Sequence, residues 1–236
     1  NAILAYAEHY VYFIIRKKYR NAIKQRIHIF DISSIFVNDR DSIEIRFSYH
    51  IAQISSPGSD LFTHILFRII AYTTKFLPNR TIFTTYNSTC YPSFEPNTSI
   101  SQQFQMSYDA FCSYLKKPYF HELVLFFHRI ITTENVILDL TYLPCYILIP
   151  SGIGKKISLE PFFKTIANLN FFVGITCQNC HMPKILQMIA PLIRITKSIR
   201  FISLTNLGIT KGAKELAKSI KKNPNLDLIS IDLSGN

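Results

Sequence analysis

Two stretches near the end of the sequence share one pattern, and this pattern decides the fold. Residues 199–209 have the sequence IRFISLTNLGI, and residues 228–236 have the sequence LISIDLSGN. In both, apolar residues stand at the first, fourth and sixth positions, and the two frames are offset by 29 residues. The fourth and sixth positions are expected to point inward from a short strand. They are occupied by Ile202, Leu204, Ile231 and Leu233. The ninth position of the second stretch, Asn236, suits a turn because its amide can bond to backbone groups.

Two weaker copies of the pattern precede these stretches. One uses Ile175 and Cys177, and it lies 27 residues before the frame of Ile202. The other uses Leu138 and Leu140, with a longer insertion before the next copy. The spacing therefore predicts a series of short strands that stack in the same direction.

The segment between the two clear copies predicts a helix. Residues 211–223 place Ala213, Leu216, Ala217 and Ile220 on one face and lysines on the others. Strand–helix units of about 28 residues are typical of leucine-rich repeats of the ribonuclease-inhibitor type, whose strands line a concave face that binds proteins. We assign residues 135–236 to about four such repeats, an α/β solenoid. We expect the array to be truncated, because it lacks a polar capping repeat.

The first third of the chain has the alternation of β-strands. Short runs rich in β-branched and aromatic residues are separated by polar breaks, at residues 2–6, 10–15, 26–30, 33–37 and 43–47. Between residue 60 and about residue 76 the apolar residues change to helical spacing, beginning with Leu61, Ile65 and Leu66. Several antiparallel strands closed by one amphipathic helix form the arrangement of a pleckstrin-homology (PH) domain. We assign residues 1–78 to a PH-like α+β domain whose first strand or strands are missing.

Two further segments join these parts. Residues 79–103 are rich in Asn, Thr, Ser and Pro, which predicts a linker. Residues 104–134 are apolar and aromatic with helical spacing, broken at Pro118. They predict a helical N-terminal cap that closes the open end of the repeats.

This order of parts resembles the CARMIL family, large actin regulators that link capping protein, the Arp complex and myosin-I. The likeness rests on residues 56–78, on residues 108–115 with 121–124, on residues 137–140 and on the two clear repeats. Pro191 departs from it, since the family has a helix there. The resemblance implies an N-terminal fragment of a membrane-associated scaffold at the plasma-membrane cell cortex that acts on actin filament assembly. The family's capping-protein-binding segment lies beyond the repeats, so we do not expect that activity in these residues.

A basic run near the start predicts contact with anionic lipids. Six cations fall within eleven residues that contain no acid: Arg16, Lys17, Lys18, Arg20, Lys24 and Arg26. In the PH interpretation this run lies between two strands, where each cation near an anionic leaflet contributes about 1 kcal/mol. The alternative is a solvated loop or strand edge. Nucleic-acid binding is disfavoured, although the net charge is +11, because Tyr19 alone makes no stacking platform.

The remaining motifs predict no catalytic, cofactor or metal site. Residues 177–181 match the c-type haem pattern, but Cys177 falls at an inward position where cysteine packs as an apolar side chain, and no second pair completes a zinc site. Residues 152–156 depart from a phosphate loop on both sides. No HExxH, paired-carboxylate or nucleophile-elbow pattern occurs. The five cysteines suggest no disulfide framework, which indicates the cytoplasm. The alternative function is a generic leucine-rich-repeat interaction module unrelated to actin.

Overall fold

The computed structural model forms two compact units, Asn1–Thr98 and Ser99–Asn236, which are described separately. The residues that the structure describes are 2–16, 18, 21–39, 42–47, 50–56, 59–74, 82–85, 99–143, 158–167 and 169–236.

The first unit begins with a three-stranded antiparallel sheet. Its strands β1 (Ala2–Ala7), β2 (Tyr10–Arg16) and β3 (Asn21–His28) follow one another as hairpins. Glu8 and His9 have φ angles of 48° and 68°, the left-handed conformation that tight hairpin turns require. The predicted strand at residues 26–30 is wrong in its bounds, because the ladder with β2 starts at Asn21 and ends at His28.

The second sheet of this unit has the order β6–β5–β4–β7. Its antiparallel strands are β4 (Ile32–Asp39), β5 (Ser42–Phe47) and β6 (His50–Ser55), and β7 (Ile82–Thr85) pairs parallel with β4. The predicted alternation in β5 is confirmed, since Ile43, Ile45 and Phe47 are buried. The prediction of a linker is wrong at β7, because its four residues are all of types that favour strands and they pair with β4.

A helix packs on the second sheet. Helix α1 (Ser59–Thr74) lies where the spacing predicts one and contacts β5. Its buried residues are Thr63, Leu66, Ile70 and Thr73. Leu61 and Ile65 are exposed, at 67% and 46%, because the buried stripe is rotated away from them. The parallel strand β7 after the helix is an addition to the predicted layout, and the PH-like assignment stays a prediction.

The second unit begins with two helices, α2 (Ile100–Tyr114) and α3 (His121–Thr132). A short non-helical segment around Pro118 separates them, as the sequence predicts. Helix α2 begins inside the predicted linker. Its start is set by a capping box, in which the Ser99 hydroxyl accepts from the Gln102 amide nitrogen at 3.2 Å and the Gln102 side chain accepts from the Ser99 amide nitrogen at 3.1 Å.

Four parallel strands follow, in the spatial order β11–β10–β9–β8. They are β8 (Ile137–Asp139), β9 (Gly174–Gln178), β10 (Phe201–Thr205) and β11 (Ser230–Asp232), separated by the helices α4 (Glu160–Ile166), α5 (Ile185–Ile193) and α6 (Ala213–Lys222). Ile202 pairs with Ile175 on one side and with Ile231 on the other. The 27- and 29-residue spacings therefore correspond to the strand register. The assignment to leucine-rich repeats stays a prediction.

The inward positions of the first three strands build the core. The structure buries Leu138, Leu140, Ile175, Cys177, Ile202 and Leu204 to at least 99%. At the edge, Leu233 is half-buried and packs against this core. Ile231 is 43% exposed and Asn236 is exposed, so the prediction that these two residues also belong to the repeat core is wrong. The physical reason is that β11 pairs with β10 alone among the described strands.

The helices beside these strands differ from the expected faces. Helix α5 continues through Pro191, although this proline argued against a helix at that position in the sequence. In α6, Leu216 and Ser219 are buried, whereas Ala213 and Ala217 are exposed. Helix α6 packs against α5, so its buried stripe follows that neighbour and not the apolar composition of the helix alone.

Aromatic rings fill the end of the core next to α2 and α3. Phe104 of α2 stacks on Phe127 of α3 with ring centroids 3.8 Å apart, and the Phe162 ring of α4 meets Phe104 edge-on at 5.7 Å. Edge-to-face pairs of this kind are favoured by the ring quadrupoles. The two helices thus pack with α4 at this end of the core, and their assignment as a cap of the repeats stays a prediction.

Candidate functional site

The side of the parallel sheet opposite the core is the candidate interaction surface. Side chains alternate along a strand, so the residues between the inward positions point away from the core. These residues form three rows across the strands, which we call the outer face. The outer face consists of Ile137, Gly174, Phe201 and Ser230, then Asp139, Thr176, Ser203 and Asp232, then Gln178 and Thr205. All except Gly174 are half-buried or exposed.

The aromatic ring of Phe201 lies over Gly174 on the outer face. A Cβ atom at Gly174 would lie 2.1 Å from Cζ of Phe201 and 2.3 Å from its Cε2, so the ring lies directly over the glycine. The two residues pair across β9 and β10. Glycine therefore serves close packing here, and it leaves one half-buried aromatic surface in the first row of the outer face.

The middle row is polar, with a carboxylate at each end. Asp139 accepts a hydrogen bond from the Thr141 amide nitrogen at 3.0 Å. Asp232 accepts from the hydroxyl of Ser234 at 2.5 Å and from its amide nitrogen at 2.9 Å. The bonds from the Ser234 hydroxyl and amide hold the pKa of the Asp232 carboxyl below its ordinary value. Both carboxylates are held in place by local turns, and hydroxyls of neighbouring strands lie between them.

Asparagine side chains tie the turns after the strands together. The Asn236 side-chain oxygen accepts from the amide nitrogens of Leu207 at 2.9 Å and Ile209 at 3.2 Å, and its nitrogen donates to the Leu204 carbonyl at 2.7 Å. This is the role that the sequence predicts for Asn236. In the preceding turn, Asn206 donates to the side chain of Asn179 at 3.1 Å. These bonds hold the rim next to the outer face in one geometry.

Another asparagine, for which the sequence alone predicted no contact, joins two strand–helix units. Asn223 lies just after α6 and is buried. Its side-chain nitrogen donates to the carbonyl of Ile193, the last residue of α5, at 2.8 Å, and to that of Thr196, three residues later, at 2.5 Å. The carbonyl of Ile193 has no donor within the helix, and Asn223 supplies one. The signal was available in the sequence, as a polar residue at the C-terminal end of an amphipathic helix.

The predicted lipid-binding residues lie around the hairpin between β2 and β3. Arg16 is the last residue of β2, and it pairs with Asn21 at the start of β3. Lys17 and Arg20 lie outside the described residues. Lys18 and Lys24 are exposed. Lys24 sits in a β-bulge, because Phe13 pairs with Gln25 while the next residue of β2 pairs with Ile23.

Arg26 packs beside an aromatic ring of the neighbouring strand. It belongs to β3, and its guanidinium lies 5.2 Å from the centroid of the Tyr10 ring of β2. Tyr12 pairs directly with Arg26 across the ladder. The basic run therefore lies only partly in the loop between β2 and β3. Arg26 makes a cation–π contact that the count of charges in the sequence did not reveal.

The two cysteines of residues 177–181, the stretch that matches the c-type haem pattern, differ in burial. The Cys177 thiol is buried and lies 3.6 Å from the sulfur of Met182, and burial raises its pKa to about 12. Cys180 is half-buried. Residues 152–156 lie outside the described residues. Among the described residues, no three side chains capable of binding a metal converge.

No protein-family model matches the chain, and no curated protein matches it significantly. Of the helices that the structure describes, none is long and apolar enough to cross a membrane.

Proposed function

We propose that this chain is a non-catalytic, membrane-associated scaffold that regulates actin filament assembly. In this proposal a PH-like unit contacts anionic lipids through its basic hairpin, and a leucine-rich-repeat unit binds a protein partner. The observation that carries the proposal is the outer face: parallel strands in register at intervals of 27 and 29 residues, with apolar side chains inward and a half-exposed polar row outward. Repeats of this spacing use such a surface to bind proteins.

The cellular role comes from the resemblance to the CARMIL family. It places the chain in the cytoplasm at the cortex, and it assigns capping-protein binding to segments that follow the repeats. The outer face supports the alternative of a generic leucine-rich-repeat interaction module equally well, so the two differ in their partners and not in their surface.

Contact with lipid is supported by exposed cations at one hairpin. Lys18 and Lys24 are exposed there, and each cation near an anionic leaflet contributes about 1 kcal/mol. Six cations can therefore supply a few kcal/mol, reduced by salt.

Vesicle co-sedimentation tests the lipid contact. The full chain is mixed with phosphatidylcholine vesicles with and without phosphatidylserine. We expect binding to the anionic vesicles alone, and loss of binding when Lys17, Lys18 and Arg20 are changed to Glu. The matched control changes the exposed Lys214 and Lys218 together with Lys221 of α6 to Glu, an equal change in charge. Equal binding by wild type and the hairpin variant would remove the lipid site, and equal loss in both variants would show a general charge effect.

Proximity labelling in cells distinguishes the two functions. A biotin ligase fused to the full chain should label actin-assembly proteins at the cortex, and a Ser203→Arg variant should lose this labelling because the new side chain fills the middle row of the outer face. Thr210→Arg is the control, since Thr210 is exposed and lies outside the outer face. Partners that depend on Ser203 but have no relation to actin would contradict the actin assignment and support the generic module.

A further inference from the structure

We propose that the outer face binds an extended, basic segment of a partner protein, with an apolar side chain on Phe201 and cationic side chains on Asp139 and Asp232. This inference rests on the proposed function, in which the outer face is the protein-binding surface, and it adds the chemistry of the partner.

The charge of the outer face favours a basic partner. Its only charged members are Asp139 and Asp232. The described hydrogen bonds of these carboxylates use Oδ1 and come from the turn residues that follow each strand. The turns thus orient the carboxylates, and Oδ2 of each is in a position to accept from a cation. An acidic segment or an anionic head group would meet like charge on this surface.

The spacing of the carboxylates matches an extended chain. Asp139 and Asp232 stand on the outermost strands, β8 and β11, in the same row of the sheet. Three strand spacings of about 4.8 Å place them about 14 Å apart. An extended peptide advances about 3.3 Å per residue, so two cationic residues about four positions apart span this distance. Between them, the hydroxyls of Thr176 and Ser203 can bond to the peptide backbone.

Phe201 provides the apolar contact. Its ring lies against Gly174, and Ile137 stands in the same row. Aromatic residues at the centre of a surface carry a large share of binding energy. The segment that fits this face therefore combines two separated cations with one aromatic or aliphatic side chain.

Fluorescence anisotropy of labelled decapeptides with the full chain tests this chemistry. The first peptide has Lys at two positions four apart, one Phe between them and Ser elsewhere. The second has Glu in place of Lys, and the third has the same composition as the first with the two Lys adjacent. We expect the first peptide to bind most tightly, and its affinity to fall with added salt.

Variants connect this binding to the outer face. Asp139→Asn and Asp232→Asn should each weaken binding of the first peptide by about two- to fivefold, and Phe201→Ala by about tenfold. Glu215→Gln, an exposed carboxylate on α6, is the control and should have no effect. Should Phe201→Ala fail to fold, Gly174→Ala replaces it, because the added methyl group displaces the same ring.

Three results would overturn the inference. They are tighter binding of the Glu peptide, equal binding of the peptide with adjacent Lys, and binding that none of the outer-face variants changes. If the Glu peptide binds and Ser203→Arg abolishes that binding, the basic chemistry is wrong while the outer face remains a protein-binding surface. If the Ser203→Arg variant labels the same proteins in cells as wild type does, the proposed function is contradicted separately.

Discussion

Replacing Gly174 by Ala tests the packing that shapes the outer face. The new Cβ would lie 2.1 to 2.5 Å from three atoms at the far end of the Phe201 ring. Carbon atoms pack no closer than about 3.5 Å, so the ring must swing away from β9. Overpacking of this kind costs about 1–3 kcal/mol. Against it, Ala in an extended strand restricts the unfolded chain and stabilises by about 0.4–1 kcal/mol.

The two contributions separate in a double-mutant cycle. In wild type, Gly174→Ala should lower the free energy of unfolding by up to about 2.5 kcal/mol, the overpacking cost less the chain-entropy gain. In a Phe201→Ala background the ring is absent, so Gly174→Ala should stabilise by about 0.4–1 kcal/mol. The coupling free energy between the two positions is then about 1–3 kcal/mol, equal to the overpacking term.

Urea denaturation of the four proteins measures the cycle. Hydrogen exchange of the β9 and β10 amides reports on the Ser99–Asn236 unit separately from the other unit. Independent sites add within about 0.5 kcal/mol. If Gly174→Ala changes stability equally in both backgrounds within this limit, the ring does not lie over the glycine and the description of the outer face is wrong.

Three further predictions concern single side chains. Asn223→Ala should lower the free energy of unfolding by about 2–4 kcal/mol, because the carbonyls of Ile193 and Thr196 lose this donor; a loss below about 0.5 kcal/mol in urea denaturation would contradict this. At pH 8, iodoacetamide should alkylate Cys180 faster than Cys177, since burial raises the pKa of Cys177 to about 12 and leaves little thiolate; peptide mapping that finds equal rates would argue against it. Ser234→Ala should raise the lowered pKa of the Asp232 carboxyl toward its ordinary value. A carboxyl whose pKa is lower in the folded state than in the unfolded state stabilises the fold at pH values above the unfolded-state pKa. This stabilisation is lost as the pH falls through the folded-state pKa. The wild type should therefore keep the contribution of Asp232 to lower pH than Ser234→Ala does. An unchanged carboxyl titration by NMR would refute the role of Ser234.

The regular spacing of apolar residues predicted the position and register of the repeated strands in the second unit. Ile175, Ile202 and Ile231 pair in register because a shift by one residue would turn every inward side chain outward. The same reasoning predicted β5 and the region of α1. It did not find β7, because the four strand-forming residues 82–85 stand within a segment that has the overall composition of a linker. The start of α2 was readable from Ser99 and Gln102, but the polar composition of the segment concealed it.

The candidate surface depended on contacts that no local pattern contains. Arg26 is one more positive charge in the sequence, whereas in the structure it lies over the ring of Tyr10 from the neighbouring strand. Ile231 has an inward position by its spacing, yet it is 43% exposed because burial also depends on the strand beside it. The surroundings of these two side chains therefore depend on which strands pair with each other, and the spacing of apolar residues in the sequence does not predict them.

By itself, the sequence determined which side of each repeated strand is apolar and that successive strands stand 27 and 29 residues apart, because burial of alternate residues leaves a periodic signature. Only the tertiary structure decided what the other side presents. Gly174 and Phe201 meet, and Asp139 and Asp232 stand in one row, because parallel pairing brings together residues that are far apart in the chain. Such a row is created by strand register, which no single stretch of the chain encodes.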